Sequence, residues 1–536
     1  MLALNELASR LLVAGIPLAS ALATRAMAKR IERFPAEQAA LRERYGVTPD
    51  TPLRGYDDET RAAVLAFARA QADARIATTS GSTGAPKQIA YTRARLKQYQ
   101  RDSYSVGMRA YARHRVRRPG IFIFASLKAD DSFASLVLEN RRVWPPWLLG
   151  LIEPSRYLSH PALLRYADEH GANAARLWLM TVADPGLLYA TNPSTLAVFF
   201  SDVTARWRES TALVRRFVGG ELDDDEDLQR IARRVGTAGF RARLDEVARA
   251  DAPLPVWSYL PGLCAWCSWD GGYVTSFLAQ VRRHLPGERY AHVPMYSMST
   301  ETIETLTWFD DDGEARFLPL GPGVLYELLP EGAADDPAQL VPATSAEPGR
   351  VYSMVVSDPW GLRRYQTDDL FRCEALVRGL PDLRFLRRRG LAYSFTGEKL
   401  TGEQLSLAFD ELRRAFPALQ EGVELACFPS HPEEGALPGY RLALAVTRAG
   451  ELDLDLDAVA AALDQALMRL NTELKDKRDS GRLRPTVAVV VPYEALAAAL
   501  DTRTVSDDDV NKRAWESQFK LTPLVKTPWE QVAARL

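Results

Sequence analysis

Apolar residues in the first 75 positions recur at helical spacing. Leu4, Leu7, Leu11 and Leu12 line one side of an N-terminal helix, predicted to be amphipathic and packed on the body. Residues 76–92 change period: a short apolar entry, a Gly/Ser/Thr turn, then Ile89-Ala90-Tyr91, a strand–loop–strand pattern. Residues 93–250 are mostly helix-patterned, with a buried strand expected at 121–125. Short apolar runs at 260–268, 292–296, 324–329 and 350–357 read as strands, and the Ala/Pro/acid-rich stretch 334–349 as a surface loop. A break falls at Arg387-Arg388-Arg389-Gly390, followed by strands at 423–428, 441–446 and 486–491 and a strong amphipathic helix at 456–473. The expected fold class is therefore mixed α/β (α+β): a large N-terminal domain over residues 1–387, with β-sheets flanked by helices, a hinge at 388–391, and a smaller α/β domain over 392–536.

Composition narrows the class. Of 536 residues, 47% are apolar and 25% charged, ordinary for a globular protein with ample core. The 67 basic and 69 acidic side chains leave a net charge of −2, without the basic excess of a nucleic-acid binder. Residues 11–23 have some signal-peptide character, but Glu6 lies where a basic region belongs and Pro17 interrupts a run too short to span a bilayer. No membrane span and a cytoplasmic location are expected. The four cysteines are too few for a disulfide framework. Cys264 and Cys267 have redox-motif or half-zinc-site spacing, but no second pair follows and the six histidines lack matching spacing. They are read as buried or half-buried thiols.

The segment richest in chemistry is Thr79-Ser80-Gly81-Ser82-Thr83-Gly84-Ala85-Pro86-Lys87. Small residues let a backbone turn point several N–H groups at one spot, and hydroxyls and a lysine add donors and charge, the makings of a phosphate cradle. It differs from the Gly-Lys-Ser/Thr loop that precedes a helix in kinase-like nucleotide-binding proteins. Downstream, Ser299, Thr300 and Glu301 follow a strand end, where an acid could hold Mg²⁺ and a hydroxyl could meet a phosphate. Asp369, after a strand and turn, suits a ribose diol. Lys399 and Lys520 could neutralise charge at a departing phosphate. No Gly-x-Ser-x-Gly or His-Glu-x-x-His motif points to a hydrolase.

Residues 79–87 resemble the phosphate loop of the adenylate-forming superfamily. Five further segments, in order, resemble the auxin-responsive Gretchen Hagen family of acyl acid amido synthetases: 257–272, PMYSMSTE at 294–301, VLYELLP at 324–330, GRVYSMVVSDPWGLRRYQTDDL at 349–370, and 384–403, with Gln518-Phe519-Lys520 near the end. Two departures stand out: Tyr296 lies one place early against the family pattern, and Asp368 stands where the family has glycine. The resemblance implies a ligase that converts a carboxylic acid and ATP-Mg²⁺ to acyl-AMP and pyrophosphate, then passes the acyl group to an amine, usually an amino acid. It implies phosphates on Thr79, Ser80, Gly81, Ser82, Thr83, Gly84 and Lys87. The ATP site would also include Tyr296, Ser299, Thr300, Asp369 and Arg388, with adenine on Tyr296, ribose on Asp369, the α-phosphate near Thr300 and Arg388 by the hinge; Glu301 would be catalytic and hold the metal, and Lys520 and Lys399 would be catalytic cations. Lys526 competes with Lys520 for the C-terminal role. An acyl-CoA or carrier-protein ligase, or an idle nucleotide- or acyl-binding relative, are the alternatives. A hinge at Arg389-Gly390 and an acyl pocket drawn from residues 120–280 complete the expectation; the oligomeric state is open, with a monomer favoured.

Overall fold

In the computed structural model, the structure describes residues 2–79, 87–124, 136, 146–270, 275–295, 297–310, 312–389, 392–420, 422–431, 436–446, 453–500, 521 and 523–536. The chain divides into two compact units, one of Met1–Thr79 and Lys87–Arg387, the other running from Arg388 to Leu536.

The first unit opens with helix α1 (Leu2–Arg44), continuous through Pro17 and Pro35. Both prolines lie on exposed positions, so the helix absorbs the missing donors on its solvent side rather than breaking there. Contrary to the expected orientation, α1 buries Asn5 and Ser9 and leaves Leu4, Leu7, Leu11, Leu18 and Leu22 exposed. The cause is a polar dock: the Asn5 amide donates to the carbonyls of Arg233, Arg234 and Gly236 at the end of the helix Glu226–Val235. Further along, Ile16, Met27, Ile31 and Phe34 of α1 enter the main core.

Strands β1 (Arg75–Thr79) and β2 (Lys87–Tyr91) pair antiparallel, Thr79 opposite Lys87. Strands β3 (Ile121–Ile123), β4 (Leu187–Tyr189), β5 (Ala265–Ser268) and β6 (Ala291–Pro294) form a parallel sheet in that order. Parallel strands need crossover connections, which the helices between 146 and 284 supply. All four β5 residues are buried, as a sheet covered on both faces requires.

After a two-stranded pair, β7 (Leu306–Phe309) with β8 (Ala315–Leu318), comes a five-stranded sheet. It comprises β9 (Leu325–Pro330), β10 (Val341–Pro342), β11 (Val351–Ser357), β12 (Tyr365–Val377) and β13 (Leu380–Arg388), in spatial order β10-β9-β11-β12-β13. The stretch 334–349, expected as a surface loop, includes β10 and two short 3₁₀ turns.

The second unit holds the pair β14 (Ala392–Tyr393) and β15 (Leu400–Thr401), and a three-stranded sheet of β16 (Val423–Ser430), β17 (Gly439–Val446) and β18 (Val487–Pro492). β16 and β17 run antiparallel, β17 and β18 parallel. The single helix expected at 456–473 is two, Leu456–Leu470 and Thr472–Asp479. Asn471 divides them: its carbonyl oxygen caps Leu474 N at 2.9 Å, while its amide donates to Glu398 O at 2.6 Å.

Candidate active site

The Lys87 side chain enters the first unit from the start of β2 and is 4% exposed. Its Nζ donates to Glu301 Oε1 at 3.0 Å and to Tyr365 OH at 2.7 Å, and Tyr365 OH lies 3.2 Å from the same Glu301 oxygen. Glu301 is 5% and Tyr365 1% exposed, so an ammonium, a carboxylate and a phenol share one dry site. A buried charge persists only when paired and hydrogen-bonded, which this triad achieves.

The Glu301 loop is a tight turn, not the helix start that a Thr-Glu pair can also signal. Ser299 N donates to Thr302 O at 3.0 Å, Thr302 N to Ser299 Oγ at 3.2 Å, and Met298 bridges Ile303. Arg95, itself buried, donates to Glu301 O at 2.5 Å and to Ala90 O at 2.8 Å, and Tyr91 OH donates to Thr300 O. Tyr326 OH donates to Ile303 O at 2.6 Å and accepts from Gly321 N at 2.7 Å. A Cβ at Gly321 would fall 2.2 Å from that phenol oxygen, so only glycine admits this clamp.

Glu304 adds a carboxyl that the sequence reading did not single out. It is fully buried; Ser297 Oγ donates to its Oε2 at 3.2 Å, while its Oε1 has no hydrogen-bond partner among the described residues. Burial first, then the negative charges of Asp369 and Glu301, push its pKa up to about 8. Its surroundings therefore favour the protonated form. The negative charge of Asp369 lies close enough to act on Glu304.

Asp369 is half-buried on β12. The register between β11 and β12 slips at this point, from Val355 opposite Gln366 to Ser353 opposite Leu370. Three residues on β12, Thr367 to Asp369, thus face the single Met354, and Asp368 takes up the excess at φ +61°. This is the left-handed region that glycine enters freely and aspartate tolerates better than most. The bulge turns β12 where Asp369 leaves it, with Thr367 Oγ1 accepting from Asp369 N at 3.3 Å and donating to Met354 O at 3.1 Å.

Lys87, Glu301 and Asp369 are thus gathered in the first unit, together with Tyr365 and Glu304. Thr300 is half-buried, and the Ser299 hydroxyl is already engaged in its turn. Thr79 ends β1 and Arg388 ends β13. Ser80, Gly81, Ser82, Thr83, Gly84, Tyr296, Gly390 and Lys520 lie outside the described residues.

In the second unit, Lys399 is half-buried at φ +46°. It follows Glu398, whose carboxylate accepts from Phe395 N at 2.7 Å, Thr396 N at 2.8 Å and Tyr440 OH at 2.5 Å. The backbone of Lys399 is therefore held by a fixed turn. Lys526 is half-buried beside the bridge between Cys427 and Leu524. All four cysteines are free thiols: Cys264 is half-buried, and burial pushes buried Cys267 up to about 12. No group of three or more His, Cys, Asp or Glu poised to hold a metal occurs among the described residues.

Tyr365 and Glu304 left faint signals. Tyr365 sits four positions before Asp369 on one strand, and Glu304 three after Glu301. Neither spacing is distinctive without the bulge and the turn that make it matter.

Residues 317–388, which span the five-stranded sheet with Tyr365 and Asp369, match the GH3 family central domain. The chain is 26% identical over 257 residues to a probable indole-3-acetic acid-amido synthetase, GH3.9, of Oryza sativa subsp. japonica, covering 43% of this chain and 57% of that protein. It is 22% identical over 254 residues to the indole-3-acetic acid-amido synthetase GH3.2 of Arabidopsis thaliana, covering 41% of this chain and 44% of that protein. The chain thus spans about half the length of these relatives. A solved acyl acid amido synthetase, AtGH3.15 in complex with 2,4-DB, superposes with TM-score 0.46 at 13% identity, over 90% of this chain and 87% of that one. From Phe317 to Arg388, the chain is similar to the GH3 family central domain.

Proposed function

We propose that this chain activates a carboxylic acid with ATP as an acyl-adenylate, releasing pyrophosphate, and then transfers the acyl group to an amine, an amino acid by chemical class. The observation that carries the reading is the convergence of Lys87, Glu301, Tyr365 and Asp369, from three distant segments, on one buried polar site. Two of the four lie in the stretch similar to the GH3 central domain, and the curated relatives are named as amido synthetases.

In this reading, residues 79–84 and Lys87 hold the ATP phosphates. Asp369 accepts from the ribose hydroxyls, Tyr296 meets adenine, and Ser299 and Thr300 lie towards the α-phosphate. Mg²⁺ would be held by Glu301, with Glu304 beside it, and by phosphate oxygens. A site with two or fewer carboxylates suits that ion, which commonly completes its shell with phosphates and water. A cation there would favour the ionised form of Glu304, against the burial and the neighbouring acids that raise its pKa. Mg²⁺ would supply neutralisation of phosphate charge.

A substrate carboxylate oxygen attacks the α-phosphorus, and the bond to the bridging oxygen breaks towards pyrophosphate. Positive charge from Lys399 or Lys520 (or Lys526 in its place) stabilises that departure. The C-terminal domain, residues 392–536, turns about a hinge at 388–391, which includes Arg388, to admit the acceptor. The amine nitrogen then attacks the acyl carbon; AMP leaves with the electron pair of the broken bond, and the amine proton passes to solvent. The acid enters a pocket drawn from residues 120–280.

The test is product analysis after incubation with ATP, Mg²⁺ and a panel of aryl, indole and fatty acids, offering amino acids and coenzyme A in parallel. An amide and AMP formed with amino acids support the reading. A thioester with no amide would transfer the second half-reaction to a thiol acceptor.

A further inference from the structure

On most helices that pack on a protein body, the apolar face is the one that turns inward. The first half of α1 is arranged the other way. Leu4, Leu7, Leu11, Leu18 and Leu22 are 63, 55, 66, 68 and 57% exposed, whereas Asn5 and Ser9 on the opposite side are buried. Ala14 and Ala21 are exposed between the leucines, so the stripe is continuous over five turns. The orientation is locked from behind, by the three Asn5 hydrogen bonds, by Glu6 to Arg118 at 2.7 Å, and by Ile16, Met27, Ile31 and Phe34 in the core. α1 is also the one helix among the described residues long and apolar enough to cross a membrane. Its inner face is committed to the fold, so it is built to lie on a surface rather than to span one.

Charge selects the surface. Arg10, Arg25 and Lys29 are exposed along the same length of helix. Glu6 is the sole acid in the first 31 residues, and it is paired with Arg118 and Arg10. A second copy of the helix would present the same cations with no acid to meet them, which disfavours a self-paired seam. An apolar stripe rimmed by cations is the pattern of an interfacial helix on an anionic bilayer.

We infer that the leucine stripe of α1, with Arg10, Arg25 and Lys29, docks this protein on an anionic lipid surface. The test is flotation of the full chain with vesicles of phosphatidylcholine alone or of equimolar phosphatidylcholine and phosphatidylglycerol. The protein should float with the anionic vesicles, less so in high salt, and not with the neutral ones. Leu11→Glu/Leu18→Glu, and separately Arg10→Glu/Arg25→Glu, should remain at the bottom with melting temperatures unchanged. Wild-type protein that floats with neither vesicle, or a leucine variant that floats like wild type, overturns the inference. So does a leucine-dependent dimer in sedimentation velocity without flotation, which would give the stripe to a second copy. These readouts do not use the ligase reaction, so they stand or fall apart from it.

Discussion

Lys87 and Glu301 are separated by 214 positions and meet at 3.0 Å with almost no solvent contact. Removing one partner of such a pair strands the other. Lys87→Met is therefore expected to lower stability by about 3–5 kcal/mol in urea denaturation. Lys87→Met/Glu301→Gln should recover much of that loss while remaining inactive in adenylation; a double variant no more stable than the single would show that the pair is not the source of the cost. Glu304 makes a different prediction. Its folded-state pKa of about 8 lies above the ordinary 4.5, so the folded protein holds a proton that the unfolded chain gives up. The stabilisation is full below the unfolded value and is lost as pH rises through the folded one. Glu304→Gln cannot ionise, so its melting temperature should gain on wild type as pH rises from about 4.5 to about 8, and the difference should level off above that. A constant difference across that range would remove Glu304 from the buried acidic cluster. At this scale the sequence speaks where chemistry is compressed into a motif: Lys87, Glu301 and Asp369 stand out by residue type and local context. Tyr365 and Glu304 gain meaning only from neighbours hundreds of positions away or across a bulge.

The bulge in β12 shows what a strand must do to present an acid. Asp368 at φ +61° stands where the resembled family has glycine, and the left-handed backbone supplies the reason that family uses glycine. Asp368→Gly should therefore keep activity and stability, whereas Asp368→Val should destabilise by about 1–2 kcal/mol and weaken nucleotide binding by moving Asp369. Equal stability of the Gly and Val variants in thermal melts would contradict the strain argument. The antiparallel partners β1 and β2 and most strands were legible because alternation and turn residues are local signals. The orientation of α1 was not, since helical periodicity gives a stripe but not the polar dock at Asn5 that turns the stripe outward. The split at Asn471 was equally hidden, because the apolar period runs on across it.

For the whole molecule, the mixed fold class was readable from the alternation of helical and strand periods, and the four-stranded parallel and five-stranded antiparallel sheets realise it. Strand order was not readable, because pairings such as β9 with β11 depend on contacts across an intervening segment. The proposed reaction makes one demand on the complete chain: reversible formation of acyl-AMP from ATP. That demand is met or refused by acid-dependent exchange of labelled pyrophosphate into ATP, measured on wild type and on Asp369→Ala. Exchange is expected with one class of carboxylic acid, severely reduced in Asp369→Ala although the variant remains folded. No exchange across a broad acid panel by folded protein that still binds ATP, or wild-type exchange in Asp369→Ala, would contradict it.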